Sequence, residues 1–189
     1  MSQLTKHLRA DEKVLWSGRP VKMPFILPSL ATIPFGLIFM GFAIFWMWGA
    51  ASAGAPGPFT LFGLPFVLIG LGLTVGPSIW QLMRYKNTEY IITDQRIITQ
   101  TGAIGLDTRF VDFDKIQEVY VQVGFIDKMF GTGTVYAMTA GFTGFVPAGR
   151  YGYAGAYDLR PNLAALKEPY EVHKLLQEAI EKARTAQTR

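Results

Sequence analysis

The sequence contains no cysteine among its 189 residues. Disulfide bonds, thiolate metal sites and cysteine nucleophiles are therefore excluded. Histidine is almost as scarce, since only His7 and His173 occur, and neither belongs to a recognisable metal-binding or catalytic motif. A zinc site or a Ser-His-Asp triad needs several such groups held together. The sequence thus predicts no metal site, no cofactor and no catalytic residue, and we expect a protein that is not an enzyme.

Charge is missing from the 61 residues between Met23 and Met83, which include no Asp, Glu, Lys, Arg or His. A soluble domain rarely has so long an uncharged stretch, because its surface needs polar cover. Two apolar runs lie within it, residues 25–48 and 59–83. Each exceeds the roughly 20 residues with which a helix crosses a hydrocarbon core. Because residues 49–58 are small residues, Gly and Pro, we predict a short turn there and a two-helix transmembrane hairpin over residues 25–83.

Two other interpretations of the apolar region remain. The sequence Ala51-Ser52-Ala53 resembles a signal-peptidase site, and the two runs could instead be core helices of a soluble protein. The first run is longer than the apolar region of a signal peptide, and a second run follows it at once. Both runs also exceed the length expected of core helices. The membrane hairpin is the favoured interpretation.

The orientation of the hairpin follows from its flanks, because excess Lys and Arg stay on the cytoplasmic side. The connector between the two runs has no charge. Basic residues precede the first run and follow the second run: Lys13, Arg19, Lys22, Arg84 and Lys86. We therefore predict a multi-pass protein of the cell membrane with both termini in the cytoplasm, and a short cytoplasmic N-terminal segment over residues 1–24.

A GxxxG pattern occurs in the second run, at Gly72 and Gly76. Small residues four positions apart let two membrane helices approach closely. One interpretation is that the second helix packs on the first through these glycines. The other is that they form a homodimer contact. The first is favoured because an intramolecular partner is already present.

Residues 84–189 have the pattern of a separate globular domain. They carry thirteen basic and twelve acidic side chains, a net charge of +1, so we expect no nucleic-acid partner. A terminal amphipathic helix is predicted over residues 169–185, because apolar residues recur there at helical spacing. Alternating or β-branched residues predict strands at 88–93, 96–101, 107–113, 118–123 and 133–140. Strands followed by one helix imply an α+β fold.

Several short motifs of this chain occur in an order that resembles the prokaryotic membrane proteins with a pleckstrin-homology (PH)-like domain, the membrane-flanked domain family. They are the segment 11–20, Tyr90-Ile-Ile-Thr93, Arg96-Ile-Ile98, Gly102, Lys115-Ile-Gln-Glu-Val119 and Phe130-Gly-Thr-Gly-Thr-Val135. The resemblance covers nearly the whole chain. It implies a bent antiparallel sheet or open barrel of about seven strands, capped by one C-terminal helix.

The resemblance also implies a function, because PH folds bind lipid headgroups or peptides. We expect a non-catalytic binding or scaffolding module held at the lipid bilayer. A specific headgroup site needs a basic pocket, whereas the cations of this domain are spread along the sequence and offset by acids: Arg96, Arg109, Lys115 and Lys128. This favours a protein partner or a homo-oligomer, with Arg96 and Arg109 as residues that contact either the partner or the membrane. The alternative interpretation of these charges is ordinary surface solvation.

A second functional hypothesis makes the chain an accessory subunit of a membrane transport or secretion complex, in which the hairpin docks to a larger membrane partner. No intramembrane charge marks an ion path, so the chain alone is not expected to transport.

The stretch from Gly141 to Tyr157 is rich in glycine and aromatic residues, and it is longer and more aromatic than the family's usual strand connection, which leaves its register open. One interpretation is a connection between strands. The other is a contact surface for a neighbouring protein or for lipid headgroups, because exposed aromatic side chains offer a large apolar area. The residues predicted for such a contact are Phe142, Phe145, Tyr151 and Tyr153.

Overall fold

The computed structural model describes residues 8–9, 11–140 and 161–187. Two units are present. One is the helical segment Ile26–Leu82. The other consists of the segment before it together with the segment after it. The second unit is thus built from both sides of the hairpin.

The hairpin contains two long apolar helical segments, Lys22–Ser52 and Gly57–Lys86, each with a mean hydropathy of 2.0. In the apolar 18-residue stretch of each segment, only 11% is buried inside the protein. A pair of core helices in a soluble protein would be mostly covered, so the exposed apolar surface favours lipid. The helices are α1 (Lys22–Ile26), a 3-10 turn (Leu27–Thr32), α2 (Ile33–Ser52), α3 (Gly57–Leu61) and α4 (Leu64–Lys86).

The two long helices of the hairpin pack through glycines other than the predicted pair. A Cβ atom added to Gly36 would lie 2.9 Å from the carbonyl oxygen of Gly70, and one added to Gly70 would lie 2.8 Å from the Cβ of Met40. Such spacing leaves no room for a side chain. Gly72 and Gly76 are exposed, with nothing within 4 Å of an added Cβ. The prediction that they pack on the first helix is therefore wrong, and the homodimer interpretation stays a prediction.

The globular unit contains, within the described residues, seven strands in two antiparallel sheets and a terminal helix. The order in the first sheet is β1-β2-β3-β4, and in the second β5-β6-β7. The strands are β1 (Val14–Gly18), β2 (Glu89–Thr93), β3 (Arg96–Thr101), β4 (Asp107–Asp112), β5 (Ile116–Gln122), β6 (Gly133–Thr139) and β7 (Asn162–Leu166). A short helix, α5 (Phe125–Phe130), joins β5 to β6, and α6 (Pro169–Gln187) follows β7.

The sheets and α6 enclose one apolar core. Ile92 and Ile97 face it from the first sheet, Val135 and Leu163 from the second, and Leu176 from α6. The predicted apolar face of the helix is confirmed, since Val172, Leu176, Ala179 and Ile180 are buried and Leu175 and Ala183 pack against the same core. The expected α+β architecture, with about seven strands capped by a C-terminal helix, is likewise confirmed.

The strand β1 lies within residues 1–24, for which the sequence predicts a cytoplasmic segment outside the domain. Val14–Gly18 pairs antiparallel with β2, and Trp16 packs on the domain core. The folded unit therefore includes this segment, and the membrane hairpin is the connection between two neighbouring strands of one sheet. The strand β7 was also not expected. The register of residues 141–157 lies outside the described residues.

Candidate functional site

Arg96, predicted as an exposed contact residue, is buried in an ion pair. It is 8% exposed, as is Glu12. Its Nε donates to Glu12 Oε1 over 2.8 Å, and its terminal nitrogen donates to Oε2 over 2.8 Å. Its guanidinium carbon lies 4.7 Å from the ring centre of Phe110. Arg96 therefore holds the N-terminal segment on the sheet and is not a surface contact, which corrects both interpretations of its charge.

The carboxylate of Glu12 is held ionised by its neighbours. Burial by itself would raise the pKa of Glu12, but hydrogen bonds from Arg96, from the Arg9 amide and from the Thr93 hydroxyl, together with the positive charge of Arg96, outweigh burial and lower the pKa below its ordinary value. The Thr93 hydroxyl donates to Oε1 over 2.8 Å, and the Arg9 amide donates to Oε2 over 2.9 Å. Charge and hydrogen bonds thus fix this segment.

The other residues considered for a contact surface differ in exposure, and four of them lie outside the described residues. Arg109 is half-buried on β4, opposite Thr99. Lys115 is exposed, with its ammonium 3.6 Å from the carboxylate of Asp112. Four further predicted residues lie outside the described residues: Phe142, Phe145, Tyr151 and Tyr153. The structure therefore does not join Arg96 and Arg109 into a basic pocket.

Catalytic or metal chemistry gains no support in the described part of the chain. No three carboxylate or imidazole groups lie there in a metal-binding arrangement. The ring of His173 donates from Nε2 to the carbonyl oxygen of Val119 over 3.1 Å. This bond ties α6 to β5, so it explains the histidine as a packing residue.

One end of the domain receives the chain from the hairpin. Asn87, the first residue after α4, donates from Nδ2 to the carbonyl oxygens of Gly102, over 3.1 Å, and of Ala103, over 3.3 Å. The hydroxyl of Thr88 donates to the carbonyl of Arg84 over 2.6 Å. The loop between β3 and β4 is therefore tied to the place where the second helix ends. We call this end of the domain the membrane end.

The first helix begins at the same end. The amide of Val21, just before α1, donates to the carbonyl of Ala165 over 2.8 Å. Arg19 forms an ion pair with Glu89, the first residue of β2. The chain is thus bonded to the sheets within a few residues of both apolar helices.

Exposed apolar side chains occur in the loop between β3 and β4 and in α5. In the loop between β3 and β4, Ile104 is 83% exposed and Leu106 is also exposed. In α5, Phe125 is 77% exposed and Met129 66% exposed, and Phe130 is exposed as well. We call these five residues the apolar rim.

The helix α5 that carries part of the apolar rim is firmly held. Asp127 is buried, and its carboxylate accepts hydrogen bonds from the Gly124 amide, over 2.8 Å, and from the Thr132 hydroxyl, over 3.1 Å. Gly131 ends the helix in the left-handed conformation, with φ of 62°, which glycine adopts without strain. The exposure of Phe125 and Met129 is therefore fixed by an ordered backbone.

The model of the family described as the bacterial PH domain matches residues 25–180. The chain belongs to this family. Comparison with curated proteins and with solved structures finds no match. The family match and the two apolar helices make the chain a membrane-associated bacterial PH domain protein, and this family assignment supports a binding or scaffolding role.

The apolar rim of this bacterial PH domain is not among the contact residues that the sequence predicts. The signal was present, because Phe125, Met129 and Phe130 stand in a short segment beside Lys128, and Ile104 and Leu106 flank a glycine in a loop. The sequence alone does not show that hydrogen bonds link the domain to the residues at the two ends of the hairpin. That connection depends on Asn87 and Val21.

Proposed function

We propose that this bacterial PH domain protein is a non-catalytic, membrane-anchored binding and scaffolding module that binds a protein partner or another copy of itself. The observation that carries the proposal is the insertion of the hairpin between β1 and β2, which pair with each other. A domain whose sheet is formed by strands from both sides of the hairpin stays tethered to the bilayer. That arrangement suits the assembly of partners at a membrane.

A protein partner is favoured over a specific lipid headgroup because of charge. Recognition of a phosphorylated headgroup requires several cations in one pocket. Arg96 is already engaged by Glu12, and Lys115 lies near Asp112. The net charge of residues 84–189 is only +1. These facts weigh against a headgroup pocket among the described residues.

The edge strand β1 offers a surface for a protein. It is the first strand of its sheet, and Val14 and Leu15 expose 43% and 46% of their surface. Apolar side chains on an edge strand are a common docking surface for another chain. Val14 and Leu15 lie about 13 Å and about 10 Å along the strand from Gly18, which is near the hairpin in sequence.

Photo-cross-linking in native membranes tests the proposal. A photoreactive amino acid at Leu15 is expected to give cross-links to a protein, which mass spectrometry identifies as a partner or a second copy. The matched control is the same group at Glu178, which is exposed on α6. Cross-links to lipid alone, or a pattern equal to that of Glu178, would contradict partner binding at β1.

The membrane topology, with both termini on the cytoplasmic side, is part of the same proposal. Because β1 and β2 pair, both flanks of the hairpin must lie on one side of the membrane, which supports an even number of crossings. The basic flanks favour the cytoplasmic side. Reporter fusions after Pro58 and after Arg189 are expected to report outside and inside, respectively. An external signal from the fusion after Arg189 would refute this orientation.

A second candidate function is the accessory subunit of a transport or secretion complex. It is favoured by one observation, the exposed face of α4 around Gly72 and Gly76. A larger membrane protein is a fitting partner for such a face. Purification in mild detergent separates the two ideas. If a polytopic partner is recovered in stoichiometric amount and is lost on Gly76→Leu, the result would support the role as an accessory subunit. If the partner is retained by Gly76→Leu and lost on Leu15→Asp, the result would support the scaffolding role.

A further inference from the structure

We propose that the apolar rim inserts into the interfacial region of the same bilayer that holds the hairpin, so that the PH domain lies against the membrane through Ile104, Leu106, Phe125, Met129 and Phe130. The ligand is the lipid surface itself, without a specific headgroup. The proposal goes beyond the binding of a partner, which concerns the edge strand β1.

The loop between β3 and β4 is bonded to the chain just after the second apolar helix. Arg84 and Lys86 end the second apolar helix, and basic residues at such a position mark the headgroup region. Asn87 then holds the loop at Gly102 over 3.1 Å. Ile104 is two residues further, at most about 8 Å along the chain. The polar region of each leaflet is about 5–7 Å thick, so Ile104 is within reach of it.

The region around α5 is linked to the start of the first apolar helix by another set of contacts. Val21, which precedes the first apolar helix, donates to the carbonyl of Ala165 over 2.8 Å, and the amide of Ala165 donates to the Thr134 hydroxyl over 3.4 Å. Thr134 stands opposite Gln122, the last residue of β5, just before α5. Two connections from different sheets therefore present apolar side chains at one end of the domain.

The composition of this end matches a lipid surface better than water. Single exposed apolar side chains are normal, but a group of them that includes two phenylalanines on a fixed backbone marks an interaction site. Lys128 is exposed within α5, and Lys167 is exposed between β7 and α6. Aromatic and long apolar side chains beside lysines are typical of segments that lie in the membrane interface. The bilayer is also the surface to which the chain is already fastened.

Site-directed fluorescence in the full chain tests the proposal. Because the chain has no cysteine, Ile104→Cys and Phe125→Cys each give one labelling site for the environment-sensitive dye NBD. The labelled proteins are reconstituted, at low protein density, into vesicles of phosphatidylcholine and phosphatidylglycerol. Lipids that carry a nitroxide near the top of the acyl chain serve as quenchers. The matched control is Leu15→Cys, since Leu15 is also an exposed apolar residue.

The expected result is a blue-shifted emission at both rim positions, with quenching by the nitroxide lipid several-fold greater than at Leu15. Water-like emission and quenching equal to that at Leu15 would overturn the proposal. A blue shift without lipid quenching would also overturn it, because it would place the rim against protein. Neither failure affects the cross-linking at Leu15, which tests the partner separately.

Discussion

Replacing Arg96 with methionine removes a guanidinium from a buried ion pair while most of the apolar volume of the side chain remains. The carboxylate of Glu12 would then keep only the hydroxyl of Thr93 and the amide of Arg9 as donors. Removing one partner of a buried pair leaves an uncompensated charge and costs about 3–5 kcal/mol. Since a domain is stabilised by only about 5–15 kcal/mol, Arg96→Met is expected to lower the stability of the PH domain severely.

The measurement is pulse proteolysis of the full chain in detergent along a urea series, which reports the free energy of unfolding of the globular unit. The matched control is Lys115→Met, which breaks an exposed ion pair with Asp112 and should cost less than about 1 kcal/mol. The double variant Glu12→Leu with Arg96→Met should recover most of the loss, because apolar residues often replace a buried pair without cost. An effect of Arg96→Met no larger than that of the control would refute the reasoning.

Acid should weaken the same pair. The pKa of Glu12 is lowered in the folded chain, so its contribution is fully present above the ordinary value of 4.5 and is lost as the pH falls through the folded value. In Arg96→Met the carboxylate has lost its cation, and protonation removes a buried charge. The stability difference between the two proteins is therefore expected to shrink below about pH 4.5. A difference that stays constant down to pH 3, about 1.5 units lower, would contradict an ion pair.

Four further predictions concern the core, the domain boundary, the hairpin and the aromatic stretch. Leu176→Asp should unfold the domain, seen as proteolysis without urea, because an unpaired charge in the core costs several kcal/mol; resistance to the protease would show that the helix face is misassigned. Residues 84–189 alone should melt below the domain in the intact chain, since they lack β1; equal melting would make β1 dispensable. Gly36→Leu should separate the helices, at a cost of about 1–3 kcal/mol, and Gly76→Leu should not; equal thermal stability in detergent would contradict the packing. Replacing four aromatic residues with serine should reduce cross-linked oligomers in membranes and leave the melting of the domain unchanged: Phe142, Phe145, Tyr151 and Tyr153. If the domain instead fails to fold, these residues belong to its core.

The elements that the sequence predicted are those with a local pattern. The strands β2 to β6 show alternation or β-branched runs, and α6 repeats its apolar residues at helical spacing. The strand β1 has only five residues, and the partner with which it pairs lies beyond the whole hairpin. The strand β7 contains Ala164 and Ala165, which have low strand propensity, and Ala165 has a φ of 52°. Neither strand carries a local signal.

The site was harder to predict because its contacts are distant in sequence. Arg96 and Glu12 are 84 positions apart, so the arginine looks like a surface charge until the fold joins them. In the hairpin, residues are apolar on all sides, and hydrophobicity does not mark the packed face. On α4, Gly70 and Thr74 pack against the first helix, whereas the glycines of the GxxxG pattern lie on an exposed face of α4.

The pairing of β1 with β2 also has a consequence for how the protein is made. Synthesis proceeds from the N-terminus, so β1 leaves the ribosome before either apolar helix and has no neighbour until β2 follows. If one helix failed to insert, the two strands would be separated by the membrane and the sheet could not close. Such a chain would keep its core residues exposed and would be a substrate for quality-control proteases. On the proposed topology, closure of the sheet would therefore distinguish a chain with both helices inserted from a chain with only one inserted.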